Sequence, residues 1–243
     1  MSDNGSSQPS ARLHRITGWL FTLLLLVLPV CLALGHRGGS VSGLSLLHSY
    51  VSEYESSAPH WPWIVVSILI FSLLLLVLAF CFLIRLGNVP LAMLGCVMLA
   101  AAATPMFFVA YAPVRRVEQP EPEHVSPWRP SYWFMSRTAR TPREQGEADA
   151  YSNVHYQAIR LAVAAGLLGI VVLAAGLFRV PGWRAFAIAS IAFAVAMAVL
   201  FAAGDWSARF HGLWQRMGLA LMYAWACVAR LNLGNCAVAP PVA

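Results

Sequence analysis

Six apolar runs of about twenty residues recur along the chain, with polar or basic segments between them. A helix needs about 20 consecutive apolar residues to cross the roughly 30 Å hydrocarbon core of a bilayer. The six runs are Ile16–Gly35, Trp63–Ile84, Val89–Tyr111, Ile159–Phe178, Ala185–Ala203 and Phe210–Val228. In lipid every backbone polar group must be paired inside the protein, and a helix achieves this alone. The pattern therefore predicts an all-α, polytopic membrane helix bundle of about six transmembrane helices.

Charge is scarce and scattered. Only 11% of the 243 residues are charged, whereas soluble domains carry about 25%. The net charge of +6 is the difference between sixteen basic residues, all arginine, and ten acidic ones; most of the arginines stand between the apolar runs, and they form no basic patch. Binding of nucleic acid needs such a patch, so we interpret the arginines as determinants of membrane topology and expect no nucleic-acid partner.

The first apolar run also has features of a signal peptide, because Arg12, His14 and Arg15 precede it and Ala33-Leu34-Gly35 could serve as a cleavage site. A signal peptide core is about 7–15 residues long, and this run is longer. We therefore expect a retained first span. The predicted organisation is a disordered cytoplasmic tail at 1–15, a membrane domain at 16–231 and a cytoplasmic tail at 232–243.

Arginine placement predicts the orientation, because short cytoplasmic loops of membrane proteins are enriched in basic residues. With the N-terminus inside, the arginines nearest the cytoplasmic span ends are Arg12, Arg15, Arg85, Arg179, Arg184 and Arg230. This predicts a multi-pass protein of the bacterial inner membrane with both termini cytoplasmic. A long extracytoplasmic loop at 112–158 follows, and its aromatic stretch 127–135 predicts that the loop lies on the membrane or caps the outer mouth.

Small residues are concentrated in spans four and five, as in the stretch 165–169 and the alanines between Ala185 and Ala198. Small residues let helices approach closely in lipid. These faces are candidate contacts for a membrane-protein partner, although weakly hydrophobic spans would show the same composition.

Polar residues converge at the predicted outer face, where six of the seven histidines lie. Arg216 is the most informative residue, since it stands within the last span and a charge at that depth usually faces a bundle interior or a wet cavity. The alternative is that its side chain reaches back to the interface. The predicted ligand-binding residues are Ser52, Glu53, His155, His211, Gln215 and Arg216.

Glu53 and His155 are the candidate catalytic residues, since a carboxylate or imidazole can act as a general base. An ion pair that holds the bundle together is the alternative role for Glu53. Ligation of haem needs two histidines facing each other inside the bundle, and the chain has no histidine near a span centre. The histidines and acids also lack zinc-ligand spacing, so we predict neither a metal nor a cofactor.

Several short motifs carry a resemblance to a known family. They are Ser49-Tyr50-Val51-Ser52-Glu53, the histidine at 155, and His211-Gly212-Leu213-Trp214-Gln215-Arg216. They resemble the Ser-Glu element, the span-four histidine and the Gly-Leu-x-Glu-Arg element of a prokaryotic six-span family, the domain-of-unknown-function family nine-nine-eight. Gln215 stands where the family commonly has glutamate, and Ala112-Pro113 replaces a Pro-Thr-Asp-Pro-like turn. The resemblance covers most of 16–231 and implies a fold and a site location, without an activity.

Together these features predict a non-enzymatic or accessory membrane protein with a polar cavity on the extracytoplasmic side. The expected partner, besides membrane lipid, is a lipid headgroup or small amphiphile, with Arg216 as the anion contact. The alternative is an intramembrane hydrolase or transferase that acts on a lipid-linked substrate. A small transporter ranks third, because the six spans show no inverted repeat or pair of broken helices.

Overall fold

The computed structural model describes residues 8–37, 51, 60–111, 142–206 and 211–235, and within these ranges it contains helices and no strands. The helices are α1 (Gln8–Gly35), α2 (Trp61–Leu86), α3 (Pro90–Tyr111), α4 (Pro142–Leu177), α5 (Arg184–Trp206) and α6 (His211–Asn235). All six contain a stretch that is long and apolar enough to cross a membrane. The predicted all-α polytopic membrane bundle is therefore confirmed.

The helices begin and end close to the predicted spans, with one large difference. α4 begins at Pro142, inside the segment 112–158 that we expected to be a loop, so residues 142–158 are helical. Proline favours the first turn of a helix, because it fixes a helical φ and lacks only an N–H that has no partner there. The apolar part of α4 starts at Asn153, and the preceding residues extend the helix beyond the predicted span. The predicted loop stretch 127–135 lies outside the described residues.

The helices form a ring in chain order. Each helix packs against the next one along the chain, and α6 closes the ring through lighter contacts with α1 and α2. Short turns after α2 and α4 make those neighbouring helices antiparallel. We call one end of the bundle the His36 end, where α1 ends and α6 begins. The opposite end, where α6 ends and α1 begins, is the Arg230 end.

The pairing of α3 with α4 is the most extensive contact in the bundle, and it depends on glycine. A Cβ added at Gly95 of α3 would overlap the backbone of Leu173, and one added at Gly176 of α4 would overlap the backbone of Ala92. Gly95 and Gly176 are thus used inside the chain, as expected for helices that approach closely in lipid. A partner-binding role for the small-residue faces of spans four and five stays a prediction, and α4 and α5 both expose alanines, namely Ala164, Ala175, Ala192, Ala196 and Ala198.

An aromatic cluster fills the ring toward the Arg230 end. The Phe82 ring lies 6.0 Å from Trp183 and 5.9 Å from Phe186, whose ring is 6.4 Å from Trp225. The Trp225 indole N–H donates to the Ser190 hydroxyl at 3.0 Å, which satisfies a polar group that is otherwise costly to bury. This cluster fills the interior of the ring toward the Arg230 end, so an internal site has to lie toward the His36 end.

Candidate functional site

A cavity of about 570 Å³ occupies the half of the ring toward the His36 end. All six helices contribute to its lining, α5 through Phe201. Trp225 lies at its inner limit, and Arg216 lies nine residues earlier on α6, at the outer limit. At 1.5 Å per helical residue the cavity is therefore about 14 Å deep. Its volume falls within the roughly 300–1,000 Å³ of typical ligand pockets.

Arg216 and His36 form the polar end of this cavity, which we call its mouth. The Arg216 guanidinium donates from Nη1 to the Gly212 carbonyl at 2.9 Å and lies with Nη2 3.1 Å from Nε2 of His36. Nδ1 of His36 is 2.6 Å from the carbonyl of Leu32. A carbonyl can only accept, so Nδ1 carries the proton and Nε2 offers its lone pair to the guanidinium. The geometry therefore fits a neutral His36.

The surroundings of His36 also favour its neutral form. Burial lowers the pKa of His36 most strongly, and the nearby Arg216 charge lowers it further, while the hydrogen bond to the Leu32 carbonyl opposes both. Desolvation disfavours a charged imidazole, and a neighbouring cation does the same. Arg216 is thus the cation of the mouth, and His36 is its neutral acceptor.

Gln215 also lines the mouth, and it fixes the position of residue 51. Its Oε1 accepts a hydrogen bond from the backbone N–H of Val51 at 2.8 Å, and both residues line the cavity. A glutamate oxygen would accept the same bond. Glutamine and glutamate at this position are therefore equally able to accept the Val51 N–H.

The wall of the cavity between Arg216 and Trp225 is apolar, because the hydroxyl groups in it donate hydrogen bonds to backbone carbonyls. The Ser67 hydroxyl donates to the Ile64 carbonyl at 2.7 Å, within α2. The Tyr223 hydroxyl donates to the Leu25 carbonyl of α1 at 2.8 Å. Pro29 explains the second bond, since proline has no N–H to give to the carbonyl four residues earlier. The polar groups of the lining that face a ligand are therefore concentrated at the mouth.

The structure brings only some of the predicted site residues together. Gln215 and Arg216 line the cavity. His155 is fully buried between α3 and α4, where its Nδ1 lies 3.1 Å from the Val109 carbonyl, and it is not part of the lining. The other candidates, Ser52, Glu53 and the His211 side chain, lie outside the described residues.

Two residues that sequence reasoning left out of the site are central to it, namely His36 and Tyr223. His36 was recognised only as one of several outer histidines. The missing signal is helical spacing: Pro29, Ala33 and His36 fall on one face of α1, and Arg216, Ala220 and Tyr223 fall on one face of α6. Which face of a helix lines the cavity depends on the neighbouring helices, and these are known only once the ring is assembled.

Comparison with known proteins gives one match. The model of a family described as a protein of unknown function, DUF998, matches residues 38–231, which include α2 to α5, α6 as far as Leu231, and the cavity residues of those helices. This confirms the resemblance seen in the sequence motifs, although the match begins after α1. No curated protein and no solved structure matches the chain.

Proposed function

We propose a function for this chain, which belongs to the DUF998 family, from the geometry of its cavity. The protein binds an amphiphile whose anionic headgroup contacts Arg216 and whose apolar chain fills the cavity behind it. The single observation that carries the proposal is the placement of the Arg216 guanidinium at the mouth of an otherwise apolar cavity of about 570 Å³.

The size of the cavity argues that it holds a ligand. Empty volume inside a closed apolar core costs about 24 cal/mol per Å³, so filling an apolar space of about 570 Å³ with lipid-like material stabilises the protein. Water is a poor filling, since a buried water needs two to four polar partners and the wall hydroxyls of Ser67 and Tyr223 donate to the backbone. An apolar chain fills the space at no such cost.

The mouth supplies the charge for the headgroup. A charge inside a span usually marks a functional contact with a partner, and a guanidinium matches the geometry of carboxylate and phosphate oxygens. His36 holds the Nη2 side of the guanidinium, and this limits the directions from which an anion can approach. Ser52, Glu53 and His211 stay predicted contributors to the same mouth, and His155 is proposed to act on it only through the packing of α3 and α4.

The orientation in the membrane is part of the proposal. Among the described side chains, five arginines lie toward the Arg230 end and three toward the His36 end. The five are Arg15, Arg85, Arg179, Arg184 and Arg230. The positive-inside rule then supports a cytoplasmic Arg230 end and a cavity that opens toward the outer face; the proposed location is the bacterial inner membrane. Reporter fusions in the predicted 112–158 loop test this, and a cytoplasmic signal there would reverse the orientation.

The ligand is tested by mass spectrometry of the protein extracted mildly from its membrane. We expect a specific anionic lipid or amphiphile to co-purify with the unmodified protein. Arg216→Ala should lower its occupancy about tenfold or more, because a hydrogen bond to a charged group contributes about 1.5–3 kcal/mol. Arg216→Lys, which keeps the charge, should retain more ligand than Arg216→Ala. Arg230→Ala, on the same helix at the other end, is the matched control and should retain all of it.

Equal ligand content in Arg216→Ala and the unmodified protein would overturn the proposal. The enzymatic hypothesis, with Glu53 or His155 as general base, and the transport hypothesis stay predictions. No contact among the described residues favours either of them over binding.

A further inference from the structure

Two hydrogen bonds between α1 and α6 flank one stretch of their seam, and a third, from Arg230 Nε to the Thr22 hydroxyl at 3.3 Å, lies nearer the Arg230 end. At the inner point the Tyr223 hydroxyl donates to the Leu25 carbonyl at 2.8 Å, and at the outer point Arg216 Nη2 lies 3.1 Å from His36 Nε2. The two residues of α6 are seven positions apart, which is about 10 Å along the helix. The two hydrogen bonds therefore bracket a segment of the seam about two helical turns long.

The lining residues that are exposed between these bonds are small, and they face both the cavity and the outside. Pro29 and Ala33 of α1 and Ala220 of α6 line the cavity and are exposed. The other residues of the lining are buried or only partly exposed. A residue that is exposed and also lines a cavity marks the place where the cavity reaches the surface. Here that surface is the lipid-facing side of the seam.

From these two observations we propose that the seam is a lateral window, through which one acyl chain of a membrane lipid passes from the bilayer into the cavity. The inference rests on the proposed function and narrows the ligand class to a diacyl lipid with an anionic headgroup. The headgroup contacts Arg216 at the outer edge of the window. One chain lies in the cavity, and the second stays in the bilayer.

The residues exposed at the window suit a hydrocarbon chain. Nonbonded carbon atoms pack at about 3.5–4.0 Å, so the stretch of about 10 Å between the two hydrogen bonds is longer than such a chain is wide. Pro29, Ala33 and Ala220, the exposed lining residues of this stretch, have small or rigid side chains. The two flanking hydrogen bonds hold α1 and α6 in place while the chain occupies the gap.

The test is to block the window with a bulky side chain. Phosphatidylcholine vesicles are prepared with phosphatidylglycerol that carries a diazirine at the end of one acyl chain, and the protein is reconstituted and illuminated. In the unmodified protein we expect the label on the cavity floor, at Trp225 and Leu99. Ala33→Trp and Ala220→Trp should each lower that label about tenfold, equivalent to about 1.4 kcal/mol in occupancy.

Matched controls are Val30→Trp and Met217→Trp, whose positions are exposed on the same two helices and do not line the cavity. They should leave the floor label unchanged. A second measurement adds the bulk only after the protein has folded. Ala220→Cys is reconstituted first and then alkylated with N-benzylmaleimide. Met217→Cys, treated in the same way, is the control. Alkylation of Ala220→Cys alone should block the labelling.

The outcomes separate the window from the cavity. Equal floor labelling in the window variants, the alkylated cysteine variant and the controls would overturn the window and leave the cavity as the lipid site. Absence of floor labelling in the unmodified protein would instead overturn the proposed function itself.

Discussion

Replacement of Tyr223 by phenylalanine removes one hydroxyl group and keeps the ring, so its effect on stability measures the hydrogen bond to the Leu25 carbonyl. Side-chain hydrogen bonds in membrane proteins contribute about 0.6 kcal/mol on average and at most about 1.7. We expect the upper part of that range, about 1–1.7 kcal/mol, because proline at position 29 has no N–H that could donate to the Leu25 carbonyl in place of the lost hydroxyl. The measurement is the free energy of unfolding in mixed micelles of increasing SDS content.

A double-mutant cycle with Pro29→Ala makes this reasoning refutable. Alanine restores an N–H at position 29, and that N–H can donate to the Leu25 carbonyl within α1. In this background Tyr223→Phe should cost about 0.5 kcal/mol, which gives a coupling of about 1 kcal/mol between the two sites. Pro105→Ala is the matched control, since Pro105 is also inside a helix and should not couple to Tyr223. A cost of Tyr223→Phe that is the same in the unmodified protein and in the Pro29→Ala background would refute the account.

Two further predictions concern packing and pH. Gly95→Ala should lower the free energy of unfolding by about 1–3 kcal/mol, because its Cβ would overlap the backbone of Leu173; a neutral effect in the same SDS titration would contradict the close packing of α3 and α4. Folding lowers the pKa of His36, so the unfolded chain takes up its proton first as the pH falls. The His36 contribution to stability is therefore present above about pH 6.5 and is lost as the pH falls through that value and then through the lowered pKa. Between about pH 7.5 and 5.5 the melting temperature should fall less in His36→Gln than in the unmodified protein. Equal falls in the two proteins would show that His36 is not the cause.

The membrane spans were predictable because their signal is local. An apolar run such as Trp63–Ile84 has to be a helix in lipid, whatever its neighbours are, and α2 extends only two residues beyond it at each end. α4 begins before the predicted span, because its first turns are polar and lack the apolar run that identified the spans. Pro142, which favours a helix start, was the available signal.

The site was only partly predictable, because it depends on which helices become neighbours. Arg216 stood out as a charge within an apolar span, and it does line the cavity. His36 directly follows α1, 180 residues away, and no spacing rule connects two such positions. His155 was a candidate general base, yet it packs between α3 and α4 with its Nδ1 3.1 Å from the Val109 carbonyl, which is a contact that a structural histidine also makes.

The central claim is that the cavity holds the chain of an anionic amphiphile, and a crystal structure of the protein grown in a lipidic mesophase tests it most directly. We predict elongated density that runs about 14 Å from Trp225 to the mouth, with the headgroup in contact with Arg216. In crystals of Arg216→Ala that density should be weak or absent. A collapsed cavity, or one filled only by ordered water, would contradict the account.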